Sequence, residues 1–319
     1  MIKKLFISVL AIIFVSFLVY IFQSKPETVE DIKISLPEGK FLNTYFPLYV
    51  AQHKNFFQEQ KLNVSLVFTD PGNSVYQVVA GDVQFASLIP SSISSMMSGN
   101  DLKIVMTFSK DDVFFYSNLS SVEELRGKKI AVPSTGTISY AKLSSFLKNS
   151  NISVRDVRIF TISNVAERVQ AFELGTVDAL TATNLAFEPG EVKMAVYLGN
   201  YTSDKAGGVV AAGDYIKENP ETVMKLVTAI AESVNYIYDN SEDSIRLLES
   251  AFSIDEQRAR DVYKFILDNE YYTSDLDLQA LDEEAKELAT AQGRVPINIE
   301  NFVDKTFVDN LPENLLIGG

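Results

Sequence analysis

The chain has 319 residues, a formal charge of −14 at neutral pH, one histidine and no cysteine or tryptophan. It can build no disulfide framework, thiolate metal site or cysteine nucleophile, and no site that needs two imidazoles. So acidic a surface repels phosphate backbones and argues against nucleic acid as a partner, while the length fits one large domain or two of about 150 residues.

Lys3 and Lys4 precede an uncharged stretch over 5–22 in which only Ser8 and Ser16 are polar. As a helix it rises about 27 Å, close to the thickness of a hydrocarbon core. Basic residues before it and Glu27, Glu30 and Asp31 after it predict that the bulk of the chain lies outside the cytoplasm. Residues 1–24 are expected to form one N-terminal transmembrane helix, an uncleaved signal anchor, with 25–30 as a tether. The bulky end of the stretch argues against a cleaved signal peptide, and the missing cysteine against a lipid anchor. A buried soluble helix is the remaining alternative.

Strands and helices then alternate. Alternating apolar residues predict strands over 31–36 and 62–68, with a helix over 45–58 between them. Val75, Val78 and Val79 mark a second helix that Gly81 ends, and 83–89 reads as a buried strand. Further strands are expected over 102–108, 114–117, 129–132, 157–160 and 177–181, with helices over 136–149 and 165–174. This is the signature of a parallel α/β sheet. From Pro220 onward the chain reads as helical: Val223, Val227, Ile230, Val234 and Ile237 repeat at core-facing spacing, and further helices are expected over 255–268 and 278–290.

Residues 75–87 echo residues 169–181 at a constant offset of 94. Each copy is an amphipathic helix, a glycine cap and a short apolar strand ending in small polar residues. Only a glycine-like positive φ lets the strand follow the helix so tightly.

Ligands of such sheets bind outside the carboxyl ends of the strands. Five of those ends are small and polar here: they begin at Asn43, Asp70, Ile89, Val132 and Thr181. Hydroxyls and free N–H groups at a helix start accept an anionic oxygen without a basic side chain. Ordinary N-capping by Ser, Thr and Asn is the competing explanation for any one loop.

The segments 47–57, 61–64, 79–86, 125–133, 171–179 and 218–223 resemble, in order and spacing, the periplasmic solute-binding proteins of nitrate, sulfonate, taurine and thiamine-pyrimidine transporters. The resemblance runs over about 31–250. It departs at Asn55, where the family usually has glycine, and at Thr183-Asn184-Leu185, where an aromatic is common. The resemblance implies a two-lobed α/β fold of the type II periplasmic-binding-protein kind, with the ligand cleft between the lobes. Lobe one would comprise 31–117 and 212–319, lobe two 118–211, and the crossovers would fall at 114–121 and 207–213. It implies ligand contacts from Tyr45 and Phe46 as a stacking wall, from Pro90, from Ser91, Ser92, Ser134, Thr135 and Thr137 through hydrogen bonds, from Gly136 at the helix start, and from Asn184. Glu188 could pair with an amine. An ABC permease and its ATPase would be the partners, and no catalytic residue, metal or cofactor is implied. Two other classes compete. A thiamine-pyrimidine biosynthetic enzyme of the same fold is one, although that enzyme and the porphobilinogen deaminases depend on cysteines that this chain lacks; a tethered sensor acting through a partner protein is the other.

Overall fold

The computed structural model describes residues 29–37, 42–69, 71–111, 113–183, 186–187, 190–201 and 205–317. The expected anchor and most of its tether lie outside them. Among the described residues no helix is long and apolar enough to cross a membrane.

The chain begins with β1 (Glu30–Pro37), α1 (Leu42–His53), α2 (Phe56–Glu59), β2 (Leu62–Thr69), α3 (Pro71–Ala80), β3 (Phe85–Leu88), α4 (Ile89–Met96) and β4 (Leu102–Ser109). It continues with β5 (Val113–Ser117), β6 (Lys129–Val132), α5 (Ile138–Asn149), β7 (Arg158–Thr161), α6 (Val165–Glu173), β8 (Ala179–Thr183) and β9 (Met194–Tyr197). Then come β10 (Gly207–Ala212), α7 (Gly213–Glu218), α8 (Pro220–Asp239), α9 (Ser241–Phe252), α10 (Glu256–Asp268), β11 (Tyr272–Asp275), α11 (Leu278–Gln292) and α12 (Thr306–Asp309).

Two sheets result, in the orders β11-β4-β10-β3-β1-β2 and β7-β6-β8-β5-β9. They are mixed rather than parallel. β10 runs antiparallel to both β3 and β4, and β5 antiparallel to both β8 and β9. These are the strands by which the chain enters a sheet from the other one, so no crossover helix sets their direction. The first passage is residues 110–112 and the second leads from β9 to β10. The segments expected as crossovers are therefore strands: Phe114 to Ser117 belong to β5, and Gly207 and Gly208 to β10.

The helix expected over 45–58 is two helices. Asn55 breaks it with a left-handed φ of 65°, a conformation that Asn tolerates better than most residues and glycine better still. β9 and β11 escape sequence reading. β9 is an outer strand without apolar alternation, and β11 is polar in sequence and becomes a strand by pairing with β4.

The 94-residue echo is structural. Gly81 and Gly175 have φ values of +80° and +69°. The N–H groups of Gly81 and Asp82 bond to the carbonyls of Val78 and Gln77, and those of Gly175 and Thr176 to Phe172 and Ala171. Each copy delivers a strand to the same topological place: β3 lies between parallel β1 and antiparallel β10, β8 between parallel β6 and antiparallel β5.

The core of the first lobe packs its sheet against α1 and the stripe of α8, where Val223, Val227, Ile230, Val234 and Ile237 are fully buried. The second sheet buries both faces. Ile130, Val132 and Phe115 face Leu143 and Phe146 of α5, while Ala131 and Tyr116 share the opposite cluster with Phe172 of α6.

Candidate functional site

The carboxyl ends of the two sheets face each other. β4 ends at Ser109 and β5 begins at Val113, paired with Thr183 at the carboxyl end of β8. β9 ends at the same edge of the second sheet, and β10 starts with Gly207 paired to Leu88, at the carboxyl end of β3. Both passages thus join carboxyl edge to carboxyl edge, and the space between is a cleft.

Each sheet also has one point where neighbouring strands lead away in opposite directions. β1 goes through α1 to β2 while β3, its other neighbour, goes through α4 to β4. β6 goes through α5 to β7 while β8 leads on to β9. The crevice at such a point is where open α/β sheets take ligands. The β1–β3 ladder ends at Ser35 and Ala86, and the β6–β8 ladder at Ala131 and Leu180. The next residues are Ser87 and Thr181.

Ser87 and Thr181 occupy equivalent positions in the echo, and Ser74 and Arg168, one residue before its two copies, stand at the same offset of 94. Ser74, Ser87 and Thr181 are buried and their hydroxyls have no hydrogen-bond partner. Neither polar atom of the buried Asn43 amide, in the first turn of α1, has one either. No other neutral side chain among the described residues has a buried polar atom without a partner. A buried polar group left unpaired costs about 1–3 kcal/mol, and native structures hold few. Four such residues, Asn43, Ser74, Ser87 and Thr181, lie on the elements that border the two crevices.

Arg168, equivalent to Ser74, is 5% exposed. Its Nε donates to the Thr181 carbonyl at 3.0 Å, and its Nη1 to the carbonyls of Ile162 at 2.7 Å and Ser163 at 2.8 Å. The guanidinium therefore bridges the loop after β7 and the end of β8. Burial pushes its pKa down to about 10.

Beside that crevice runs the loop between β6 and α5. Ser134 and Thr135 are exposed, Gly136 and Thr137 half-buried. Thr137 is the N-cap residue of α5 but its side chain makes no capping bond; its hydroxyl donates to the Ser134 carbonyl at 2.7 Å. In contrast, the Asn164 side chain caps α6, accepting from Ala166 and Glu167. α4 likewise starts without a side-chain cap. N-capping therefore does not explain the polar residues of the Ser134 and Ile89 loops.

The other expected contacts divide. Pro90 and Ser91 open α4 and are half-buried. Ser92 is fully buried and donates to the Leu88 carbonyl at 2.8 Å, so its proton is engaged within the helix. Tyr45 is half-buried. Phe46 is no stacking wall: it is fully buried, its ring packed against Tyr49, Phe252 and Tyr272. One residue along a helix turns the side chain by about 100°, which separates it from Tyr45. Asn184 and Glu188 lie outside the described residues. Asn43, Ser74, Ser87, Arg168 and Thr181 were not among the expected contacts, although the offset of 94 residues pairs Ser74 with Arg168 and Ser87 with Thr181.

Several contacts cross between the lobes. Gln292 of α11 donates across to the Gly136 carbonyl at 3.4 Å and, within the first lobe, to Ser94 Oγ in α4 at 2.8 Å. Arg258 of α10 donates to the Phe187 carbonyl at 2.8 Å, and the Phe265 ring packs against Phe114 and Tyr197. At the passages, buried Lys142 lies 3.4 Å from the Asp111 carboxylate and Lys205 3.1 Å from that of Asp275. A cavity of about 580 Å³ between α5 and α11 is lined by Thr135, Tyr140, Ser144, Lys286 and Thr290, among others.

A family model described as NMT1/THI5 like matches residues 43–244, and the chain belongs to that family. A curated protein of Brucella abortus (strain 2308), named only as a candidate binding protein, is 26% identical over 219 residues, 65% of this chain and 67% of the relative. Among solved structures, the periplasmic aliphatic sulphonate binding protein SsuA from Escherichia coli superposes with a TM-score of 0.71 at 17% identity, covering 86% of this chain and 92% of its own. The alkanesulfonate-binding SsuA from Xanthomonas axonopodis pv. citri, bound to MOPS, gives 0.67 at 17% identity over 88% and 99%. The desulfurization enzyme DSZB shares the fold, with a TM-score of 0.65 at 15% identity over 88% and 98%.

Proposed function

We propose that the protein is an extracytoplasmic solute-binding protein that delivers a small organic anion or heterocycle, of sulfonate, taurine, nitrate or thiamine-pyrimidine type, to the permease and ATPase of an ABC transporter. Lobe closure would bury the solute, and the segment 1–24 would anchor the protein in the cell membrane. The observation that carries this reading is the set of buried, unpaired groups of Asn43, Ser74, Ser87 and Thr181 bordering the two facing crevices. The family membership and the sulfonate-binding proteins of the same fold support it.

Binding is favoured over catalysis, although an enzyme shares the fold. His53, the only imidazole, bonds through Nδ1 to the Tyr49 carbonyl at 2.9 Å and stacks on the Tyr49 ring. It ends α1, about 15 Å of helix from Asn43.

A thermal-shift screen of sulfonates, taurine, nitrate, pyrimidines and flavins tests the proposal. A solute at 100 times its Kd should add about 2.7 kcal/mol of stability. A screen in which no compound raises Tm would remove the main support.

A further inference from the structure

We infer that Arg168 makes the cleft electrically asymmetric: the anionic end of a solute is held at the β6–β8 crevice, and its uncharged, hydrogen-bonding end at the β1–β3 crevice. This rests on the solute-binding reading above and assigns the solute's charge and orientation.

Residues 94 apart supply the comparison. The two lobes place equivalent residues at equivalent crevices, and three of the four are small hydroxyl residues. At the fourth position the first lobe has Ser74 and the second has Arg168. Among the described residues the guanidinium has three carbonyl partners, no carboxylate within ion-pair distance and no hydrogen bond from Nη2. Carbonyls satisfy its donors without cancelling its charge, and a buried charge without a counter-charge is costly. Lys142 and Lys205, also buried, each have a carboxylate within 4 Å. Among the described residues that border the two crevices, Arg168 is the buried cation without such a carboxylate.

A second positive source lies beside it. Ile162, whose carbonyl holds Arg168, donates its own N–H to the Val132 carbonyl at 2.9 Å. Val132 ends β6, and two residues on begins the Ser134 loop that leads into the uncapped start of α5. Helix N-termini carry partial positive charge. Helix starts border the first-lobe crevice too, that of α4 without a side-chain cap. Among the described residues its buried groups Asn43, Ser74 and Ser87 offer only neutral donors and acceptors, so the side-chain charge of Arg168 is what sets the two crevices apart. A chain of net charge −14 can therefore hold an anion, because the cation concerned is internal and unpaired.

The test is calorimetric titration of the full chain with three anionic or zwitterionic probes (benzenesulfonate, taurine and nitrate) and two neutral ones (benzenesulfonamide and an aminopyrimidine). Wild type is compared with Arg168→Gln, Arg168→Lys and Thr181→Val, each checked for its fold by circular dichroism. An anionic probe should bind wild type and lose at least about 30-fold in Arg168→Gln, with Arg168→Lys much closer to wild type. Thr181→Val leaves the carbonyl that holds Arg168 in place and should cost about 10-fold. If Arg168→Gln does not fold, the Lys and Val variants and the preference for benzenesulfonate over benzenesulfonamide carry the test. A neutral probe that binds wild type and Arg168→Gln equally well overturns the inference and leaves the solute-binding reading standing. Binding of no probe at all overturns both.

Discussion

Replacing Ser87 by Ala and Thr181 by Val should stabilise the protein in the absence of solute, against the usual direction for buried substitutions. Both hydroxyls are buried and neither has a hydrogen-bond partner. Each desolvated hydroxyl therefore costs about 1–3 kcal/mol, which an apolar group of the same shape would recover. Thr→Val is isosteric and Ser→Ala removes one atom, so neither opens a cavity of consequence. The residues sit in different sheets, so their effects should add to about 2–6 kcal/mol. Ser233 supplies the control: it is equally buried, but its hydroxyl donates to the Ile230 carbonyl at 2.7 Å. Ser233→Ala should lose about 1 kcal/mol. Denaturant unfolding of the three variants and wild type, without solute, gives the comparison. If all three destabilise alike, Ser87 and Thr181 are bonded in solution, and the crevices are not waiting for a partner.

Three further outcomes follow from the fold. Gly81→Ala and Gly175→Ala should each cost about 1–2 kcal/mol through the left-handed backbone alone, because an added Cβ meets nothing within 4 Å at either site; equilibrium unfolding will show a larger loss if packing matters instead. Lys205→Met leaves the half-buried carboxylate of Asp275 without its cation and should cost about 3 kcal/mol, whereas a double variant that also replaces Asp275 by Leu should recover most of it; equal losses in single and double variants would contradict this. Asp243 accepts from Lys54 and, at 2.6 Å, from Tyr236 Oη, which hold its carboxyl near 2 against an ordinary 3.8. A depressed carboxyl contributes stability that is fully present above about pH 4 and lost as pH falls toward 2. Because the pair is partly exposed, the contribution is about 1 kcal/mol after screening, and Asp243→Asn should flatten Tm between pH 4 and pH 2.

Most of the α/β order was legible from local pattern, because strands and helices bury one face or stripe and leave a period of two or of 3.6 in the sequence. The core stripe of α8 and the glycine caps at Gly81 and Gly175 are of this kind. What local pattern could not show is direction and pairing. β5 and β10 read as ordinary apolar strands, yet each enters the opposite sheet antiparallel. β11 is polar and strand-like only because β4 lies beside it. Within the site, the polar strand ends were visible, but which of their residues are buried and unpaired depends on where a ladder stops. Phe46 and Ser92 looked like contacts beside Tyr45 and Ser91; one step along the helix places them in the core.

By itself the sequence settled the charge, the missing thiols, the alternation of elements and the 94-residue echo, since each is a property of residue types and their spacing. Only the tertiary structure decided that the carboxyl edges of the two sheets face each other, and that Ser74, Ser87, Arg168 and Thr181 stand at matching crevices. Those are relations between residues distant along the chain. Burial then turns an ordinary serine into an unpaired donor and an ordinary arginine into an uncompensated charge.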